Sequence, residues 1–207
     1  MLHRLSPEAI ANDLSNFISN AREFFDGERE STVQVVAWVK GETQEELQSV
    51  FDDTYIVLQK KSSGHIVFPS GSVEWYEKEK WVPNPQGIIL AGLREFKEEL
   101  HKILTIDADN IIDVFPPLPF ETESGKKYIQ FRLLAVLSPL KVVWLEQKFI
   151  QSLETIPTEQ QEHNNCYVRS YADIRKHIKN SDRQVKDTFH LSLEYHNIAK
   201  WRWRYGA

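Results

Sequence analysis

The sequence predicts an α/β domain, and three observations carry that prediction. Segments rich in β-branched residues alternate along the chain with segments whose apolar residues recur at helical spacing. Apolar residues make up 41% of the 207 positions, including 11 Phe, 7 Tyr and 6 Trp, which is ample for one sizeable core. No internal repeat and no linker long enough to demand two domains interrupts the pattern.

The first element is a helix over residues 6–25. Ser6 supplies a side-chain cap, and Pro7 fits the first helical position, where its missing N–H costs nothing. Ile10, Leu14, Phe17, Ile18 and Ala21 recur at helical spacing. Asp26-Gly27 stops it. Residues 32–39, rich in Val, read as a buried strand. The acidic stretch 42–46 reads as a solvated loop or short turn. A second strand over 55–58 runs to Lys60-Lys61; Ser62-Ser63-Gly64 is a turn, and 65–68 a short extended piece stopped by Pro69. Residues 71–85 are irregular. From 88 to about 103 the helical spacing returns, with Leu90, Leu93, Phe96, Leu100 and Ile103 as an apolar stripe to anchor the helix. Strands follow at 111–115 and 128–137, joined by the turn-rich Pro116-Pro117-Leu118-Pro119 and by Ser124-Gly125. Helices over 171–178 and roughly 184–200 close the chain. The division expected is a helical extension over 1–30, a main domain over 31–180, and a C-terminal helical extension over 181–207 packed on that domain.

Composition narrows the function classes. A formal net charge of −5 argues against a general nucleic-acid coat, which carries a basic excess, but not against a small anionic substrate, because a bound divalent cation reverses the local field. Cys166 is the only cysteine, so an intramolecular disulfide and a four-cysteine zinc site are both out of reach; it reads as buried apolar filler rather than a nucleophile. Residues 1–11 show no apolar core of a secretory signal, and no apolar run approaches the length that spans a bilayer. The default setting is reducing and cytoplasmic. The histidines form no H-E-x-x-H pair, and there is no Walker loop or serine elbow.

The informative segment is Gly92-Leu93-Arg94-Glu95-Phe96-Lys97-Glu98-Glu99-Leu100. On a helix, Glu95, Glu98 and Glu99 stand at i, i+3 and i+4 and project from one face. Their mutual repulsion, roughly 0.2–0.5 kcal/mol per pair on an exposed helix, would be removed by a hard divalent cation, and Mg²⁺ is held by carboxylates together with substrate phosphate. Arg94, four residues before Glu98, can neutralise or orient an acidic partner. The bland alternative is a solvated acidic face relieved by Lys97 and Lys102.

The flanks favour the first reading. Phe68-Pro69-Ser70-Gly71 precedes the acidic segment, Gly71 and Glu77 match an opening G-x5-E, and residues 94–99 match R-E-U-x-E-E without a gap. With these residues the chain resembles the Nudix hydrolases, whose signature is G-x5-E-x7-R-E-U-x-E-E-x-G-U, U being a bulky apolar residue. Two departures stand out. Sixteen residues separate Glu77 from Arg94 where the signature has seven, an insertion of nine; aligned backwards from Arg94, Gln86 would take the first glutamate position instead. His101-Lys102 also replaces the closing Gly-apolar pair, and His tolerates the left-handed backbone that ends such a helix less well than Gly.

The resemblance implies an α/β/α sandwich around a mixed sheet, with the terminal helices as additions. It implies a hydrolase that cuts a pyrophosphate linkage in a nucleoside-diphosphate-type small molecule with Mg²⁺, or Mn²⁺ in its place. Glu98 and Glu99 would be the principal metal ligands, Glu95 a further ligand or the base that positions water, and the Ser70 carbonyl a backbone ligand. Arg94 would hold a glutamate in place, Glu77 being the candidate. Glu162 would add a ligand from ahead of a later strand, with Glu159 in reserve; ordinary surface glutamates are the competing reading, as for Glu121 and Glu123. Gly71, Glu77, Trp75, Tyr76 and Trp81 are the substrate-side candidates, the aromatics either stacking on a base or packing their loop. Trp201-Arg202-Trp203-Arg204-Tyr205 reads as packing on the body or across a homodimer more readily than as an RNA-contacting tail, and a capped RNA is the less favoured substrate. Two rivals share the scaffold: a nucleotide sensor or regulator with weak or lost turnover, and an isopentenyl-diphosphate isomerase. The second needs a cysteine soon after Pro69, where this chain has none.

Overall fold

The computed structural model describes residues 4–25, 27–41, 54–74, 78–79, 82–122 and 124–178. Its elements run α1 (Pro7–Asn20), β1 (Arg29–Val39), β2 (Thr54–Lys60), β3 (Ile66–Val67), β4 (Ser70–Ser72), β5 (Lys78–Glu79), β6 (Val82–Pro83), α2 (Pro85–Glu99), β7 (Ile111–Glu121), β8 (Lys127–Leu137), α3 (Leu145–Leu153), β9 (His163–Ser170) and α4 (Tyr171–Ile178). The α/β class is borne out.

The scaffold is a mixed sheet built on β1. One edge of β1 runs parallel to β8 over its whole length, from Arg29↔Lys127 to Val39↔Leu137, and β7 returns antiparallel on β8. The other edge is shared: β4 pairs with Thr32–Gln34, and β2 with Trp38 and Val39. β2 in turn takes β9 antiparallel along its length. Ser31–Val39 is buried throughout, as expected of a strand covered on both faces. Odd positions Val33, Val35 and Ala37 face α1, α2 and α3; even positions Val36 and Trp38 face the cluster that holds Ile174 of α4. Helices on both faces make the α/β/α arrangement.

α1 is capped as its sequence requires, Ser6 Oγ accepting from the Ala9 N–H at 3.1 Å, and it seats Ile10 and Leu14 against Ile88, Ile89, Ile111 and Val114. Three expectations need correction. The acidic helix starts at Pro85 rather than 88 and ends at Glu99 rather than 103, because Asn84 Oδ1 caps the Gly87 N–H (2.7 Å) and Pro85 fills the first position. Of the expected stripe, Phe96 and Leu100 are buried and Leu93 and Ile103 pack on the core, but Leu90 turns out to solvent and Ile88, Ile89, Ala91 and Gly92 are buried as well; a Cβ on Gly92 would lie 2.5 Å from Leu133 Cδ1, so glycine lets α2 lie close to the sheet there. The proline-rich run 116–119 is part of β7 rather than a turn. Among the described residues β7 pairs only with β8, so prolines lacking an N–H are tolerated, and the register shifts between Phe115 and Leu118. The Pro116 carbonyl left over by that shift accepts from the buried Arg132 guanidinium. α3 had no counterpart in the sequence reading. The acidic stretch 42–46, the helix expected over 184–200 and the aromatic run 201–205 lie outside the described residues. Among the described residues no helix is long and apolar enough to cross a membrane.

Candidate active site

Glu95, Glu98 and Glu99 occupy the last turn and a half of α2 and line one open cleft of about 480 Å³, whose far wall carries Glu162 and His163 at the start of β9. The one-face expectation for the three glutamates is met. Their settings differ. Side chains of Glu95 and Glu99 are 13% and 11% exposed, whereas that of Glu98 is 56% exposed and reaches toward solvent.

β4 forms the floor. Its hydrogen bonds to β1 use the Pro69 carbonyl, which accepts from Val35 N–H, and the Val73 N–H, which donates to Ser31. In that alternation Ser70 and Ser72 sit at positions whose N–H and C=O point away from β1. The consequence is visible at both. Ser70 N–H donates to Glu99 Oε2 at 2.6 Å, and Ser72 C=O accepts from Arg94 Nη2 at 2.7 Å. The Ser70 carbonyl, like its N–H, points away from β1. Between them, a Cβ on Gly71 would overlap the Glu95 carboxylate. Glu95 thus lies where a side chain at 71 would be. Arg94 completes the arrangement, donating to Glu95 Oε1 at 2.6 Å and standing 3.5 Å from Glu98 Oε2. The glutamate it holds is Glu95; Glu77 is outside the described residues.

Electrostatics follow from this packing. Burial lifts the Glu99 carboxyl well above its ordinary range, opposed by the Ser70 N–H and reinforced by Glu95 and Glu162. Glu95 is also raised, again by burial first, with Arg94 pulling the other way and Glu98 and Glu74 adding repulsion. Like charges crowded at the negative end of a helix dipole are poorly placed for stability.

The far wall depends on a strand irregularity. β2 and β9 pair in regular register from Thr54↔Ser170 to Gln59↔Asn165, and then the register shifts so that Lys60 faces His163, leaving Asn164 extra. Cys166 and Val168 belong to the α2 side of the sheet, so strict alternation would turn His163 away from it. The bulge reverses that, and His163 is buried with Nε2 3.7 Å from Glu99 Oε1. Its imidazole, lowered to about 4 by burial and then by Lys60 and His101, is neutral at pH 7. Ligand atoms of Glu99, Glu162 and His163 all lie within 4.8 Å of one another. The donor set fits a divalent cation: carboxylate oxygens and a neutral imidazole.

α2 ends on a double bond pattern, His101 N–H to the Glu98 carbonyl and Lys102 N–H to the Lys97 carbonyl, with His101 at φ 52° and Lys102 at φ 63°. The left-handed stop expected of the missing Gly is therefore present without it. His101 has compensation: its ring stacks on Phe149 (centroids 4.6 Å) and Nδ1 lies 2.7 Å from Ser152 Oγ.

The other candidates sort cleanly. Gln86 is exposed in the first turn of α2, roughly 13 Å along the axis from Glu95, too far to share a cation with it. Glu159 and Glu121 are exposed, and Glu159 lines a neighbouring groove with Lys60 and Lys61 rather than this cleft. Trp75, Tyr76, Glu77, Trp81 and Glu123 lie outside the described residues. Cys166 is buried, with its thiol pushed up by burial, and is the apolar filler expected. His163 was missed as a site residue. Adjacency to Glu162 was its only sequence signal, and the bulge that turns it inward leaves no mark in the sequence.

No family model and no curated protein sequence matches the chain. Solved structures do. A bifunctional NMN adenylyltransferase/ADP ribose pyrophosphatase from Francisella tularensis, complexed with AMP and a manganese ion, is 16% identical at a TM-score of 0.50, over 89% of this chain and 47% of that one. NrtR from Shewanella oneidensis is 10% identical at a TM-score of 0.50, over 84% of this chain and 65% of that one. A NUDIX hydrolase from Nitrosomonas europaea is 16% identical at a TM-score of 0.45, over 82% and 89%. This chain thus spans about half the length of the first and about two thirds of the second. At these identities the likeness is one of fold.

Proposed function

We propose that this chain, which has the fold of the Nudix hydrolases, is a divalent-cation-dependent hydrolase. Its reaction is attack of water on a pyrophosphate linkage in a nucleoside-diphosphate-linked small molecule, with Mg²⁺ as the cation and Mn²⁺ able to replace it. One observation carries the reading: Glu95, Glu98 and Glu99 converge on a single cleft, two of them sunk against β4 with raised carboxyl pKa values.

Glu95, Glu98, Glu99 and the Ser70 carbonyl are assigned to hold the cation, and Glu162 faces them across the cleft. Bound there, the cation would polarise phosphoryl oxygens, neutralise developing charge and ease deprotonation of water. The chain's own residues do the positioning. Ser70 N–H fixes the rotamer of Glu99, while Arg94, itself braced on Ser72 C=O, fixes Glu95 over Gly71. Glu95, raised by burial, is the group suited to hold or take a proton from water. Gly71, which lies against the Glu95 carboxylate, is followed closely in sequence by Trp75, Tyr76, Glu77 and Trp81, and we assign the substrate's nucleoside side to these residues.

The test is release of phosphate or nucleotide from a panel of nucleotide sugars, dinucleoside polyphosphates and nucleotide cofactors, with and without Mg²⁺. Glu98→Gln and Glu99→Gln should each lower cation-dependent turnover by on the order of 10²-fold or more with the circular dichroism spectrum unchanged. Full activity in both variants would remove the assignment. Tight binding of one compound with no turnover of any would identify a nucleotide sensor instead.

A further inference from the structure

His163 differs from its acidic neighbours in the cleft. It is 2% exposed, yet its Nε2 has no hydrogen-bond partner among the described residues. Buried polar atoms are normally satisfied, and an orphan aimed into a cleft asks for the group that satisfies it. Nε2 lies 3.7 Å from Glu99 Oε1. Glu99 divides its two oxygens: Oε2 accepts from the Ser70 N–H, while Oε1 is turned toward the imidazole. Glu162, on the residue before His163, supplies a third ligand atom, and all three lie within 4.8 Å of one another. The bulge between β2 and β9 is what brings the ring to this side of the sheet.

We propose that His163 Nε2, Glu99 Oε1 and Glu162 form a nitrogen-containing site for a first-row transition-metal ion of the Co²⁺ or Zn²⁺ class, beside the oxygen site assigned to Mg²⁺ and sharing Glu99 with it. The inference rests on the reading above only in placing cations in this cleft. Imidazole nitrogen favours the later first-row ions, whereas Mg²⁺ takes oxygen almost exclusively. Three protein ligands leave positions open to a substrate oxygen or water, which is the arrangement of a working site rather than a closed structural one.

Crystals of the full chain soaked in Co²⁺ and measured at the cobalt edge test it directly. An anomalous peak about 2.0–2.2 Å from His163 Nε2 is expected. No peak, or peaks confined to Glu95 and Glu98, would overturn the proposal. In solution, competition titration should show Co²⁺ bound at least about tenfold more tightly than Mg²⁺. His163→Gln should weaken Co²⁺ by about tenfold or more and Mg²⁺ by no more than about twofold; equal loss of both ions would count against the site. Should that variant not fold, the anomalous map of the unaltered chain decides. Glu98 is not in this site, so Glu98→Gln separates the two ideas. Hydrolysis lost in Glu98→Gln with no nitrogen-bound metal in the wild type defeats this inference alone. A cobalt peak on Nε2 with no turnover of any phosphoanhydride defeats the hydrolase reading alone.

Discussion

Gly71 has no left-handed backbone to explain it; what it provides is space. The Glu95 carboxylate fills the volume where a Cβ would stand, held there by Arg94. Gly71→Ala should therefore displace Glu95 rather than unfold β4, whose ladder bonds to β1 use backbone atoms alone. A shift of about an ångström in a reacting group costs on the order of 10²-fold, so turnover should fall by about that factor while the melting temperature moves little. Steady-state kinetics beside a thermal melt checks both halves, and an unchanged kcat would mean Glu95 takes no part in the reaction. The sequence made Gly71 conspicuous through its signature but was silent on the reason. The three glutamates were legible because helical spacing alone puts them on one face. His163 was not, since its orientation depends on one extra residue in a strand pairing between Lys60 and His163, far apart in sequence.

The end of α2 shows the same limits for an element. Acidic periodicity announced the helix, but its start was misplaced by three residues because Asn84-Pro85 was absorbed into the irregular segment before it. The apolar stripe is legible except at Leu90, which faces solvent, and at Gly92, which lies against Leu133 and has no side chain to count as apolar. The C-terminal stop was legible as a problem: the chain lacks the expected Gly, and two non-glycine residues take positive φ. These two should respond oppositely to glycine. Lys102 is exposed, so Lys102→Gly mainly relieves a left-handed side chain, worth about 1 kcal/mol, and should raise the melting temperature by about 2–4 °C. His101→Gly gains the same relief but loses the stacking on Phe149 and the bond to Ser152, each about 1 kcal/mol, and should lower it by a similar amount. Calorimetry on the two variants decides, and a stabilised His101→Gly would show that the contacts to α3 contribute nothing.

Across the whole molecule, the sheet gathers residues from three distant stretches: Ser70 and Gly71 on β4, packed on Glu99 and Glu95, the glutamates at the end of α2, and Glu162 with His163 at the head of β9. Their titration should make the cation-free protein's stability depend on pH in two opposed ways. Glu99 and Glu95 have folded pKa values raised above the ordinary 4.5, so the folded state keeps their protons longer than the unfolded chain does. The stability this gives is complete below pH 4.5 and is lost as pH rises through the folded values. His163 runs the other way. Its pKa falls from 6.5 to about 4 on folding, so the stability it gives is complete above pH 6.5 and is lost as pH falls toward 4. Melting temperatures measured without divalent cations from pH 4 to 9 should separate the limbs by substitution: Glu99→Gln should flatten the loss on the alkaline side, and His163→Gln the loss on the acid side. Saturating divalent cation stabilises only the state that binds it, with the glutamates deprotonated. Its effect on the melting temperature should thus be greatest at high pH, where the uncompensated carboxylates cost most, and should shrink as they take up protons. A cation-induced shift independent of pH, or a Glu99→Gln variant with an unaltered alkaline limb, would place the ion away from these carboxylates.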